Sequence, residues 1–561
     1  MPTISRSWHA MRRSCATALL SLLALAAITA GAGADAATGT TADALRGIVA
    51  AGRLADLRWP DFADFQGDLR SFYEAGDYAL AWSLNGQPTA QARELIGVLR
   101  EADSKGLDAE DYDASRWDGH LQRLDQPETA ARFDAALSVS LMRYVSDLHV
   151  GRINPDHFKF RLTTRNSSVD LPQFLRQLAT GGSDLRAQLE LVEPPFPGYR
   201  RTQEALRRYL GFAHQNAGAP LPVPAKALDP GSAYAGVTGL TQLLRQLGDL
   251  PADATVPAGD LYQEPLVTAV KRFQERHGLT ADGRLGAQTV RHLNVPLAAR
   301  VEQLQLTLER WRWLPHEFPQ PPVVVNIPEF RLRAFGAGGR EVLSMNVIVG
   351  KALRHETPVF DQDMRYVVFR PYWNVPPSIQ RSEIVPAVQR DRSYIARKNY
   401  EVTTHGGQFV TDGPISDEVL EQLRAGKVAV RQKPGPSNAL GLVKLIFPNE
   451  FNVYLHSTPS QQLFAQTRRD FSHGCIRVEK PDELTAWALQ GNPEWDLAKV
   501  RAAMQTGKDN VQVNLTKPIP VLILYGTAVT YDDGSVHFYD DIYGHDAQLR
   551  KALAKGYPYH R

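Results

Sequence analysis

The sequence predicts a multidomain α+β protein with a helical N-terminal scaffold, a compact three-helix unit and a mainly-β C-terminal domain carrying a helical capping insertion. Three observations point to this fold class. A chain of 561 residues, 43% of them hydrophobic, is long enough for about two to four separate cores. Up to about residue 320, apolar residues recur at three- and four-residue spacing, the period of helices. Beyond it they gather in short β-branched runs bounded by turn residues, the texture of strands.

Charge and cysteine usage narrow the class. The 63 basic and 61 acidic residues leave a net charge of only +2, so no nucleic-acid partner is expected. Residues 1–34 read as a signal peptide. Arg6, Arg12 and Arg13 precede the apolar run Ala16 to Ile28, and Ala32-Gly33-Ala34 (or Ala34-Asp35-Ala36) is a cleavage site. The run is short for a bilayer, so no permanent membrane span is expected. Of the two cysteines, Cys15 falls inside the signal peptide and leaves Cys475 alone in an exported, oxidising setting. Such a thiol is either a buried bystander or a reactive group.

Each element follows in order. After a small, flexible stretch at Ala36 to Thr41, residues 42–228 are expected as a helical scaffold, with helices at Ala90 to Ala102 and Arg132 to His149. Residues 231–296 form a compact unit with helices at Leu240 to Leu247, Pro265 to His277 and Ala287 to Leu293. Its Asp282-Gly283 and Leu285-Gly286 pairs suit turns that need positive φ. A linker helix lies within 297–320. Residues 321–545 then carry strands at Val323 to Ile327, Arg331 to Phe335, Leu343 to Val349, Tyr366 to Phe369, Gly441 to Phe447 and Asn452 to Leu455. A helical, charged excursion at about 377–428 interrupts them, and an insertion of that length in a compact domain suggests a lid. Residues 546–561 are expected as a C-terminal tail.

Chemistry concentrates in two patches. Asn452-Val453-Tyr454-Leu455-His456-Ser457 is a strand running into a turn, and Ser472-His473-Gly474-Cys475-Ile476-Arg477 follows one loop later. A thiol becomes nucleophilic when an imidazole within hydrogen-bond reach takes its proton. The imidazole in turn needs a group that holds its tautomer, and the Ser457 carbonyl is the natural candidate. Gly474 permits a tight approach, leaving the amides of Gly474 and Cys475 to face a developing oxyanion. His473 is the rival base. His456, His473 and Cys475 are also zinc-ligand types, but they lack a fourth ligand, so neither a metal nor a cofactor is expected.

The pattern His456…Ser472-His473-Gly474-Cys475-Ile476-Arg477 resembles the signature of YkuD-type L,D-transpeptidases. Thr357-Pro358, Pro371-Tyr372-Trp373-Asn374, Tyr525-Gly526 and Asp540-Asp541-Ile542-Tyr543 agree with the large, YcbB-like branch. Ala269 through Asp282-Gly283 to Leu293-Asn294 is similar to peptidoglycan-binding domains, as a working binder or a spacer. The resemblance implies Cys475 as nucleophile and His456 as general base, acting on peptidoglycan stem peptides in the periplasm. It implies a thioester, release of D-Ala, a 3→3 cross-link and acylation by carbapenem-type inhibitors. Where the family often has Gly after the base, this chain has Ser457, which keeps the carbonyl. Ser472 and His473 would shape the loop. Arg477 would orient the loop, meet a substrate carboxylate or form a structural ion pair. Tyr372 and Trp373 would line the donor groove or serve as core aromatics. The same fold also admits L,D-carboxypeptidase, D-amino-acid exchange and lipoprotein-attaching activities, and a decayed site would leave a wall-binding protein.

Overall fold

The structure, a computed structural model, describes residues 35–163, 169–182, 184–215, 219–557 and 559. The expected signal peptide, Cys15 included, lies outside the described residues.

The N-terminal region is helical and centres on Pro127–Val150, a helix buried nearly all round by a core running from Leu45 to Val192. A helix buried on every face belongs inside a bundle rather than on its surface. The stretch expected to be flexible at Ala36 to Thr41 falls instead within the helix Asp35–Ala51. In the three-helix unit, Val237–Leu247, Leu266–Arg276 and Ala287–Leu293 pack around Leu240, Leu244, Val270 and Phe273. Gly283, at φ +73°, makes the turn that the Asp-Gly pair demanded. Gln274 pins that turn from the neighbouring helix through Asp282, the Gly283 amide and Thr289.

The linker helix, Leu297–Arg312, is a central packing element rather than a spacer. Its apolar residues join Tyr199, Leu206 and Tyr209 of the scaffold to Phe538 near the C-terminus. Two of its buried charged residues are paired, Glu309 with Arg152 and Arg310 with Asp546. Burial without such partners would cost several kcal/mol per charge.

The C-terminal domain is one nine-stranded sheet. Its strands in chain order are β1 (Val323–Asn326), β2 (Arg331–Phe335), β3 (Glu341–Gly350), β4 (Phe360–Phe369), then β9 (Val443–Ile446), β10 (Leu455–His456), β11 (Asp470–Ser472), β12 (Ile476–Val478) and β13 (Val511–Leu524). Between β4 and β9 stand the insertion strands β5 (Trp373–Asn374), β6 (Tyr400–Thr403), β7 (Phe409–Thr411) and β8 (Ala429–Gln432). The large sheet runs β11-β3-β12-β10-β9-β4-β13-β1-β2, and β2 also pairs with β3, so the sheet closes on itself. Closure removes exposed edges and encloses a core of Val325, Leu332, Val347, Val367, Leu445, Leu455 and Ile476.

The insertion is more than the helical excursion that its sequence suggested. β5, β8, β6 and β7 form a separate four-stranded sheet, and Val388, Ile395, Val402, Leu420 and Val430 form a separate core. Short alternating strands among charged helical segments carry too few residues for period two to stand out.

Residues 546–561, expected as a tail, mostly fold back. His545–Leu553 is a helix, and Tyr557 and Tyr559 reach into the scaffold. Tyr557 donates to buried Asp147, and the Tyr559 hydroxyl donates to Asp111 at 2.5 Å. Two tyrosines among the last seven residues give no helical or strand period, so only their docking reveals the role. Among the described residues, no helix is long and apolar enough to cross a membrane.

Candidate active site

β10 places His456. It lies between β9, where Lys444 is its antiparallel partner, and β12, where Arg477 is its parallel partner. Paired residues share a face of a sheet and successive residues alternate. Leu445, Leu455 and Ile476 therefore point into the core, while Lys444, His456 and Arg477 point out of the opposite face. Tyr454, two residues before His456, and Cys475, two before Arg477, extend that second face by the same period. Ring distances agree: Tyr454 and His456 lie 5.7 Å apart, and Lys444 Nζ sits 5.7 Å from the Tyr454 ring centre.

His456 is buried and its pKa falls to about 3, first through burial and then through the Arg477 charge. The imidazole is therefore neutral at ordinary pH. Its Nδ1 lies 2.5 Å from the Ser457 carbonyl. A carbonyl oxygen only accepts, so Nδ1 carries the hydrogen and Nε2 carries the lone pair. That is the tautomer a general base requires. Gly441 lets this turn form, because a Cβ there would stand 2.4 Å from Ser457 Oγ and 2.7 Å from the Thr458 amide.

Cys475 is free and half-buried. Its Sγ donates to the Asn452 carbonyl at 3.5 Å. The imidazole thus sits on β10 and the thiol on the bend that enters the neighbouring β12, with the sulfur turned toward Asn452 and Tyr454. Burial pushes the thiol pKa up, while hydrogen bonds from Tyr454 and the charges of Lys444 and Arg477 pull it back, with a net rise.

Buried hydroxyls fix the loop that carries Cys475. Ser472 Oγ donates to the Cys475 carbonyl at 2.5 Å and accepts from the Gly474 amide at 3.1 Å. Thr357 Oγ1 donates to the Gly474 carbonyl and accepts from the Gly350 amide, both at 2.8 Å. Tyr543 donates to the Gly350 carbonyl and accepts from the Thr357 amide. Gly474 takes φ +113°, a conformation few side chains tolerate. Gly350 is packed so closely that a Cβ would lie 1.9 Å from the His355 carbonyl.

One expectation needs correction. The Gly474 amide does not face open space, because the Ser472 hydroxyl occupies it; a serine that bonds the backbone two residues on is a common turn device. The Cys475 amide has no acceptor among the described residues.

The remaining residues divide. His473 Nε2 lies 2.7 Å from Glu383 of the insertion, and its ring lies 4.6 Å from that of His355. Arg477 is half-buried and leaves its Nε without a partner. Tyr372 lies beneath the Arg431 guanidinium, and half-buried Trp373 packs beside Tyr400 on the insertion core. Sequence reasoning missed Lys444 and Tyr454, although the period of two from His456 marks Tyr454. Lys444 is reached only through sheet register.

Comparisons with known proteins agree with this architecture. Residues 67–206 match the model described as "Scaffold domain", residues 234–293 match "Putative peptidoglycan binding domain", and residues 321–501 match YkuD, "L,D-transpeptidase catalytic domain". A Haemophilus influenzae protein named "Putative L,D-transpeptidase" is 30% identical over 279 residues. That match spans 49% of this chain and about half the length of the relative, 55%. A crystal structure of an L,D-transpeptidase from Stackebrandtia nassauensis aligns with 54% of this chain and 97% of its own, at 14% identity and a TM-score of 0.20, too low to carry an argument.

Proposed function

We propose, from the match of residues 321–501 to the L,D-transpeptidase catalytic domain, that this chain is an exported cysteine transpeptidase that forms 3→3 cross-links between peptidoglycan stem peptides. Cys475 gives its proton to His456 Nε2 and its sulfur attacks the peptide carbonyl between the third, L-centred stem residue and the terminal D-Ala. The C–N bond breaks, the departing amine of D-Ala takes the proton, and a thioester remains. The side-chain amine of a second stem then attacks the thioester and regenerates the thiol.

The observation that carries this reading is a free thiol on the same sheet face as a neutral imidazole whose Nδ1 is tied to the Ser457 carbonyl. The reading requires Sγ to turn from Asn452 toward His456, and one χ1 rotation moves a sulfur by about 3 Å. The Cys475 amide is the remaining oxyanion donor, and one such donor is worth roughly 3 kcal/mol. The contact of His473 with Glu383 supports a role for the insertion in covering the thioester, since water there would release a tripeptide instead. The peptidoglycan-binding domain supports action at the cell wall, outside the cytoplasm.

The test is incubation of the purified mature chain with disaccharide-tetrapeptides, followed by mass spectrometry of the products. Dimers with a 3→3 link and free D-Ala are expected, with neither formed by Cys475→Ala at an unchanged melting temperature. Cross-linking that survives in Cys475→Ala overturns the assignment, and tripeptide without dimer redirects it to a carboxypeptidase.

A further inference from the structure

The active face carries two cations with no counter-charge. Lys444 is half-buried on β9, and Arg477 is half-buried on β12. Neither has a carboxylate within ion-pairing distance among the described residues, and Arg477 leaves its Nε buried and unpaired. Cys475 is the one charge that each of them feels. For Lys444 the Tyr454 ring, 5.7 Å away, offers partial compensation.

This arrangement is costly unless something anionic completes it. Burying a cation away from water disfavours the charged form, and both side chains are drawn down in pKa, chiefly by burial. Elsewhere in this chain, Arg152 stands against Glu309, Arg276 against Asp249 and Arg310 against Asp546, while the buried Arg143, Arg300 and Arg469 bond carbonyl or amide oxygens instead. On the face that carries Cys475, Lys444 and Arg477 have no such carboxylate among the described residues. The thiolate, once formed, answers one positive charge and leaves the other to a second anion.

We propose that Lys444 and Arg477 form an anion clamp beside Cys475 that holds a carboxylate of the acyl donor, the C-terminal carboxylate of a peptide whose last residue leaves. The identity of that carboxylate rests on the transpeptidase reading, whereas the clamp rests on the geometry alone. Lys444 thereby selects donors that end in a free acid one residue beyond the scissile bond. An amidated donor would leave one of the two cations unanswered.

Alkylation of Cys475 separates the clamp from catalysis. Iodoacetate carries a carboxylate and iodoacetamide does not, and both alkylate the same thiolate. Relative to a cysteine-containing peptide, the wild-type chain is expected to favour iodoacetate. Lys444→Met should lower that preference about fivefold, the order expected of one charge at about 6 Å in a partly screened site, and Lys444→Arg should retain most of it. Unchanged selectivity in a folded Lys444→Met chain overturns the proposal. So does equal slowing with both reagents, which would mean that Lys444 acts on the thiol alone. A selectivity loss in a chain that transfers no acyl group leaves the clamp standing and refutes the transpeptidase reading instead. With tetrapeptide donors, Lys444→Met should raise KM for the free acid more than for the C-terminal amide.

Discussion

His473 Nε2 stands 2.7 Å from Glu383 Oε1, joining the loop that carries Cys475 to the inserted subdomain. Glu383 lies in a π-turn, Gln380–Ile384, at the base of the insertion. Such turns often mark functional positions. The loop that carries Cys475 is thereby tied to the insertion through the neighbouring side chain of His473.

Glu383→Gln weakens this tie. Both partners are substantially exposed, so the pair is worth roughly 0.2–1 kcal/mol, too little to unfold the subdomain. Hydrogen exchange at 377–390 is expected to quicken while the sheet core is unaffected, and product analysis should show more hydrolysis relative to cross-linking. Unchanged exchange at 377–390 would show that the tie does not hold the cap.

Acid should destabilise the chain through its buried histidines. His456 falls to about 3 in the folded state, and His316, His537 and His545 to about 4, against about 6.5 when unfolded. Above pH 6.5 both states are neutral and the contribution is complete. As pH falls toward 4 the unfolded chain binds protons that the folded chain refuses, so stability is lost. Asp134, raised by burial to about 6, opposes this in part, since its folded form holds an extra proton between about 4 and 6. For His456 alone the loss between pH 6.5 and 4.5 is about 2 kcal/mol. Calorimetry should show a melting temperature that drops steadily over this range and drops less in His456→Gln. A flat profile would contradict the burial of these rings.

Gly441→Ala tests how the base is held. The residue has φ +62°, and an added Cβ meets Ser457 Oγ at 2.4 Å and Ser457 Cβ at 2.6 Å. Ser457 must shift, and with it the carbonyl that fixes Nδ1 of His456. Turnover should fall at least tenfold while KM changes little, because the substrate-facing cations stay in place. Near-normal turnover would show that the Ser457 carbonyl is not the group that orients the imidazole.

Local signals were strong where one segment could express them. The helix Ala287–Leu293 and the strand Arg331–Phe335 match their expected bounds residue for residue, because each carries an unbroken period between clear stop signals. Cys475 and His456 stood out as candidates in the sequence because glycine, serine and histidine around a lone cysteine form a pattern that packing alone rarely requires. The insertion sheet, the docking of Tyr557 and Tyr559 and the occupied Gly474 amide were not, since each depends on a partner distant in sequence or on which of two acceptors an amide selects.

The sequence by itself determined the kinds of element, the two chemical patches and the family they resemble, all of which follow from neighbours within a few residues. Only the tertiary structure decided that Lys444, Tyr454, His456, Cys475 and Arg477 share one face. Sheet register assigns faces, and register is set by strands that come together across distances no local period encodes.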